Sequence, residues 1–408
     1  MSGGAARRSR DAMVALAATL AIQMFTSLAA TAPAVLAPAL AQDLGISGTW
    51  IGVFVGLIYA GAMVSSLASG GFITRYGAIR VSQVCVLLCA IGITLVALLP
   101  ATAIGLLAGS AFLLGLGYGP ITPASSQVLA RTTPPARMSL VFSIKQTGVP
   151  AGAALAGAVL PAFALMAGWR GALLFVAVLG LVVAAVAQAP RASLDSDRSS
   201  ATQFNVAALL TPLRTVARSR PLRELAVIGF AYASVQMCLT NFLVLYLHEV
   251  LNWPLIYAGL ALTAATLGGV VGRILWGAVA DRGVSPRRVL TIIGLIAGVC
   301  GAVLALASPT WESWLLLSVV ALFGATAIGW NGVQLAELAR EAPPGAAGAI
   351  TGAAGFITFA GVAVGPPLFA LLAALTASYR IGFLMFAVVS LIAAGVLSQR
   401  REHVRTQS

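Results

Sequence analysis

Leu129-Ala130-Arg131-Thr132-Thr133-Pro134-Pro135 and Leu338-Ala339-Arg340-Glu341-Ala342-Pro343-Pro344 are two versions of one heptapeptide, about 208 residues apart. Nearly the same offset carries Gly70 onto Gly277 and Trp169-Arg170 onto Tyr379-Arg380. A chain of 408 residues that repeats at half its length is built from two like halves. Around these marks, apolar runs lie near residues 12–40, 49–73, 80–99, 102–130, 138–165, 169–188, 222–250, 254–280, 288–307, 312–338, 347–375 and 380–398. Each is long enough to cross a bilayer as a helix, which takes about 20 apolar residues. A content of 60% hydrophobic and 9% charged residues suits lipid and not an ordinary soluble domain. The expected fold is therefore an all-α membrane protein of 12 transmembrane helices in two pseudo-symmetric six-helix bundles, residues 1–190 and 221–408. A polar linker rich in Arg, Ser, Asp and Pro joins them over 191–220. A parallel repeat of this kind has its pseudo-two-fold axis along the membrane normal.

The formal charge of +13 would suggest nucleic acid in a soluble protein. Here the arginines sit in short connections between apolar runs, and no aromatic-interleaved basic patch accompanies them, so membrane topology explains them better. With both termini cytoplasmic, Arg75, Arg80, Arg131, Arg137, the linker arginines, Arg282, Arg287, Arg288, Arg340 and the C-terminal arginines all fall inside. Only Arg170 and Arg380 fall outside. The expected location is a plasma membrane of the bacterial inner-membrane type. The basic start followed by an apolar run resembles an export signal, but the run from about Met13 to Leu40 is too long for a signal core and reads as the first span. Cys85, Cys89, Cys238 and Cys300 all lie in apolar runs without metal-ligand pairing, and read as small packing residues.

The loop between spans 8 and 9 reads Gly277-Ala-Val-Ala-Asp281-Arg282-Gly283, with Arg287 and Arg288 following. This glycine, acid-basic pair, glycine and trailing basic residues resemble the loop motif of the major facilitator superfamily, and the likeness of organisation covers essentially the whole chain. The copy between spans 2 and 3, Gly70-Gly71-Phe72-Ile73-Thr74-Arg75-Tyr76-Gly77, has threonine where that family usually has aspartate. The resemblance implies alternating access: spans 1, 4, 7 and 10 line a central cavity, 2, 5, 8 and 11 form the seam, and 3, 6, 9 and 12 face lipid. It also implies a cytoplasmic gate, to which we assign Asp281, Arg282, Arg75, Arg131, Glu337 and Arg340. The plainer reading is that Asp281 and Arg282 anchor a tight loop. Glu337 and Arg340, three apart and so on one helix face, are either part of the gate or a solvated helix end.

Lys145 is the only lysine and lies about seven residues inside span 5. Arg273 lies about seven residues inside span 8. At 1.5 Å per residue both are on the order of 10 Å into the membrane. A cation in the middle of a membrane helix costs about 2.5–3.5 kcal/mol on insertion scales, and no span offers an acid at that depth. The simplest counter-charge is the solute itself: a small organic anion, a carboxylate, held by the forked guanidinium of Arg273 with Lys145 as a second point charge. The stretch Gly272-Arg273-Ile-Leu-Trp276-Gly277 resembles the eighth helix of oxalate/formate antiporters and monocarboxylate transporters, where that arginine meets the carboxylate. Those relatives draw their lysine from helix 1 or 11, and this chain from span 5. The structural alternative has Lys145 snorkelling to the surface, and Arg273 bonded to backbone carbonyls or to Glu337.

Gln23, Tyr118, Gln236, Trp330, Asn331 and Gln334 are polar or aromatic residues at middle depth on the cavity spans. They either complete the site or bond to neighbouring helices. Gly115-Leu-Gly117-Tyr118-Gly119-Pro120 and Gly361-Val-Ala-Val-Gly365-Pro366-Pro367 mark helix bends or close packing. The expected function is a secondary active transporter of a small organic anion across the inner membrane. Antiport against a counter-anion, facilitated flux and symport with a coupling proton all fit. An exporter of a drug-like neutral or amphiphilic compound is the rival, suggested by Gly148-Val-Pro150-Ala-Gly152. With histidines only at His248 and His403, and no nucleophile or metal motif, no enzyme, metal or cofactor is expected. The resemblance implies a monomer.

Overall fold

The computed structural model describes residues 2–45, 49–100, 102–199 and 210–398. The C-terminal arginines, His403 and the linker middle at 200–209 lie outside them. Eleven stretches of the described residues are long and apolar enough to span a membrane. One of these, Pro135–Val186, is double, because Gly168 inside it has a non-helical, positive φ of 72°. The spans therefore number twelve, as the hydropathy predicts.

They run α1 Ser2–Val35, α2 Thr49–Tyr76, α3 Ala78–Leu98, and α4 in two pieces, Ile104–Tyr118 and Ile121–Thr132. α5 begins at Met138–Gln146 and continues into Gly148–Val186, which Gly168 divides between α5 and α6. Then follow α7 Arg220–Glu249, α8 Leu255–Asp281, α9 Pro286–Leu306, α10 in two pieces Ser313–Ala327 and Asn331–Glu341, α11 Ala347–Thr376 and α12 Tyr379–Ser398.

Prolines explain most of the interruptions. A proline has no N–H for the carbonyl four residues back, and its ring crowds that carbonyl. Pro38 thus ends α1 at Val35, and a short helix, Ala37–Leu44, follows where the sequence alone suggested one run to residue 40. Pro120 breaks α4, as its Gly-Pro stretch anticipates, and Pro150 interrupts α5 at Thr147. The second glycine-proline stretch behaves otherwise: α11 stays helical through Pro366 and Pro367.

The described chain forms two compact units. One comprises residues 1–134, 145–219 and 338–356, the other 135–144, 220–337 and 357–408. Each unit thus takes in a short piece of the other sequence half: the first turns of α5 in one case, the first turns of α11 in the other. Within the first unit α2 packs on α4, α3 on α4 and α6, and α1 on α5. Within the second α8 packs on α10, α9 on α10 and α12, and α7 on α12. The pairings α2–α4, α3–α4 and α3–α6 recur six helices on as α8–α10, α9–α10 and α9–α12, the structural counterpart of the sequence repeat.

The repeated glycines are close-approach points. A Cβ on Gly70 of α2 would lie 2.6 Å from the Cβ of Ala349 in α11, and one on Gly277 of α8 would lie 2.5 Å from Ser143 Oγ in α5. Neither neighbour is a flexible side-chain tip, so only glycine lets these helices meet at this distance.

Candidate functional site

Each unit holds one deeply buried cation. In the first, the Pro150 interruption sets Lys145 at the end of the opening piece of α5. Its Nζ donates to Gln23 Oε1 of α1 at 2.7 Å and to Gln146 Oε1 at 3.0 Å. Thr122, just past the α4 break, donates to the same Gln23 oxygen at 3.3 Å. Lys145 and Gln23 are each 1% exposed, so the lysine is held at depth by neutral amides and does not snorkel. Tyr118, at the other side of the α4 break, is half-buried.

In the second unit Arg273 of α8 is 2% exposed, and its Nε donates to the carbonyl of Ile328 at 3.0 Å. That carbonyl is on offer because α10 leaves helical geometry over residues 328–330, and carbonyls at a helix end lack in-helix donors. Trp276 Nε1, one turn along α8, takes Ala325 O at 2.8 Å in the same way. The carbonyl contact is the one the structural alternative anticipated for Arg273. It fixes the guanidinium through Nε.

Beyond the break, Gln236 Oε1 of α7 accepts from Trp330 Nε1 and Asn331 Nδ2, both at 3.2 Å. Trp330 meets Tyr232 edge-on at 5.7 Å. Gln334 faces elsewhere: its Nε2 donates to Leu225 O at 2.9 Å and it packs against Gly229. Gln236, Trp330 and Asn331 thus form one cluster, while Gln334 ties α10 to α7.

The charged residues of the loops divide by unit. In the second, the Asp281 carboxylate accepts from the backbone N–H groups of Ser139 and Leu140 at 3.0 and 2.8 Å, capping the start of α5, where helix N–H groups lack partners and favour negative charge. Arg282 is exposed. Glu337 pairs with Arg287 at 3.4 Å, and Arg287 pairs also with Glu224 at 2.9 Å, which Arg220 holds at 2.8 Å.

In the first unit Arg131 bonds Ser196 and the Leu194 carbonyl and pairs with Asp197 at 3.7 Å, tying α4 to the linker. Arg75 stacks its guanidinium over Tyr76. Arg340 is half-buried near the end of α10. The start of α11 is capped by an amide: Gln127 Oε1 accepts from Gly348 N–H at 3.0 Å.

Asp195 supplies the carboxylate that Thr74 does not. It reaches from the linker to accept from Ile79 N–H at 2.7 Å and Arg80 N–H at 3.0 Å, capping α3. Gly77, with φ 92°, makes room, since a Cβ there would sit 2.3 Å from the Asp195 carboxyl carbon. Burial pushes the Asp195 carboxyl above the usual range, against the lowering effect of the two N–H groups and Arg191. Sequence reasoning missed Asp195, Gln127, Glu224 and Arg287 as organising residues. Only the Arg220–Glu224 spacing of four carries a local signal.

The sequence pattern of the Major Facilitator Superfamily matches residues 19–366. The gallate transporter of Pseudomonas putida is 27% identical over 323 aligned residues, covering 71% of this chain and 69% of that protein. The 4-hydroxybenzoate transporter of Pseudomonas aeruginosa is 29% identical over 293 residues, covering 65% of each. Among solved structures, the fucose:proton symporter of E. coli superposes with a TM-score of 0.75 at 16% identity, over 96% of this chain and 100% of that one. That last likeness concerns the fold alone.

Proposed function

The chain belongs to the major facilitator superfamily, and on that premise we propose that it is a secondary transporter of small organic anions, with aromatic carboxylates as the leading class. It is a transporter and not an enzyme. The observation that carries the substrate class is the pair of buried cations, Lys145 and Arg273, each held at depth by neutral oxygens. A forked guanidinium and a point-charge ammonium are the side chains suited to receive a transported carboxylate. The named substrates of the relatives, gallate and 4-hydroxybenzoate, are small aromatic carboxylates, which favours this reading over the drug-exporter alternative.

We assign substrate contact to Lys145, with Gln23 and Tyr118, in the first unit, and to Arg273, with Gln236, Trp330 and Asn331, in the second. Asp281, with Arg282, Arg75, Arg131, Glu337 and Arg340, belongs to the gate. The arginine-rich helix ends face the cytoplasm of a plasma membrane, by the positive-inside rule, and the protein works as a monomer coupled to a proton or a counter-anion.

The test is thermal unfolding of the purified protein against gallate, 4-hydroxybenzoate, hexuronates, inorganic anions, neutral sugars and cationic drugs. A ligand of the folded state raises the midpoint. Stabilisation by aromatic carboxylates, lost in Arg273→Ala, supports the reading. Stabilisation by neutral or cationic compounds alone overturns it.

A further inference from the structure

The first unit contains a cavity of about 970 Å³ that holds none of the residues assigned to substrate contact. It lies along α2, α3 and the α4 break. Its wall is apolar: Val64 on α2, Val84 and Leu88 on α3, and Leu116 on α4. Val64 and Val84 are exposed on the helix surface, so the cavity opens to whatever surrounds these spans. Its other end is basic, with Arg75, Arg80, Arg191 and Arg198 all lining it.

The two characters are separated by depth. Val64 precedes Arg75 by eleven residues on α2, about 16 Å along a helix. Leu88 follows Arg80 by eight residues on α3, about 12 Å. Charge therefore sits at the helix ends and apolar wall below it, in the order that a phospholipid presents its phosphate and its acyl chain.

The basic end is built by the linker. Asp195 fastens the segment to α3, and Ser199 N–H donates to Thr74 O at 2.8 Å. This fold-back brings Arg191 and Arg198 beside Arg75 and Arg80. Of the linker carboxylates, Asp197 pairs with Arg131, and Asp195 lies 3.6 Å from Arg191 Nε, which is buried and makes no hydrogen bond among the described residues. Neither Arg80 nor Arg198 pairs with a carboxylate among the described residues. Among the described residues that line the cavity there are four arginines and no carboxylate, which places positive charge at the head of an apolar groove.

We infer that this groove binds an anionic phospholipid of the leaflet at the arginine-rich face, with its phosphate on Arg80 and Arg198 and an acyl chain along Val64, Val84 and Leu88. A free phosphate would engage the arginines and leave the apolar wall uncovered. A zwitterionic lipid would bring a second cation to a site already rich in them.

The experiment titrates full-length protein in detergent with phosphatidylglycerol, phosphatidylcholine and inorganic phosphate, reading the unfolding midpoint and lipid adducts by native mass spectrometry. Each basic residue near an anionic headgroup contributes about fivefold in affinity. We expect phosphatidylglycerol to bind tighter than phosphatidylcholine, the preference to fall by about 25-fold in Arg80→Gln/Arg198→Gln, and inorganic phosphate to have no effect. Arg218→Gln, an exposed arginine outside the groove, should keep the preference. A Val84→Trp variant, which fills the groove without altering charge, should lose binding too.

The variants' midpoints without lipid check that they fold. Equal binding of both lipids by the wild type, an undiminished preference in the double variant, or equal losses in Arg218→Gln would overturn the assignment. Stabilisation by inorganic phosphate equal to that by phosphatidylglycerol would make this an anion site and not a lipid site. The transport reading is tested separately, since none of the substituted residues, Arg80, Arg198, Val84 and Arg218, is assigned there to substrate or gate.

Discussion

Replacing Asp195 tests whether a linker carboxylate holds the α2–α3 turn in place of the missing loop aspartate. Asp195→Ala removes a helix cap, which costs about 0.5–2 kcal/mol. It also leaves a second, buried N–H without its acceptor, at about 1–3 kcal/mol. The ionised carboxyl is itself disfavoured by burial, which offsets part of that loss. A net destabilisation of about 2–4 kcal/mol follows, or roughly 4–8 °C in the unfolding midpoint at about 2 °C per kcal/mol for a large chain. Asp195→Asn keeps one acceptor and removes the buried charge, so it should fall less than half as far.

The pH dependence has a definite sign. The folded-state pKa is raised, so the stability linked to the protonated form is fully present below the ordinary carboxyl value of about 3.9 and is lost as pH rises through the folded value. Wild type should therefore lose ground relative to Asp195→Asn between about pH 4 and neutrality. Thermal scans of the three proteins in one detergent across that range make the comparison. An Asp195→Ala protein that melts within about 1 °C of wild type at neutral pH would refute the capping argument.

Gly70→Val and Gly277→Val should each destabilise the protein by about 1–3 kcal/mol and slow uptake, because their new side chains meet Ala349 and Ser143. Gly157→Ala, with open space around it, should change neither, although both effects are read in the same melting and flux assays. Arg287→Ala leaves Glu224 and Glu337 without a shared partner in a buried network and should cost on the order of 2–3 kcal/mol. A double-mutant cycle with Glu337→Gln should show coupling above about 0.5 kcal/mol. Gln127→Glu places a second carboxylate beside Asp197, which Gln127 Nε2 now contacts at 2.9 Å, so its stability should recover as pH is lowered, whereas that of Gln127→Leu should not.

The fold was legible because membrane spanning is dictated by composition and length. The doubled heptapeptide and the spacing of Gly70 and Gly277 exposed the repeat before any contact was known. The interruption at Pro120 was readable from backbone chemistry, while the one before Pro150, inside a single apolar run, and the unbroken α11 through Pro366-Pro367 were not, because neighbouring helices decide whether a proline helix bends. Lys145 and Arg273 stood out because charges in apolar runs are expensive. Their partners did not: Gln23 lies 122 residues from Lys145, and Ile328 lies 55 residues from Arg273. The loop motif pointed to Asp281, but nothing local in the linker marked Asp195 as the residue that caps α3, since a capping contact over 116 residues leaves no periodic trace.

The central claim is tested most directly by uptake of labelled 4-hydroxybenzoate into proteoliposomes carrying wild type, Arg273→Lys, Arg273→Ala and Lys145→Met, with folding of each checked by its melting profile. The account predicts saturable uptake by wild type that gallate competes away. Arg273→Lys should lose about tenfold or more, since a point charge replaces a fork, and the other two variants should lose uptake almost entirely. Well-folded Arg273→Ala and Lys145→Met proteins that transport the aromatic acid at the wild-type rate would contradict it.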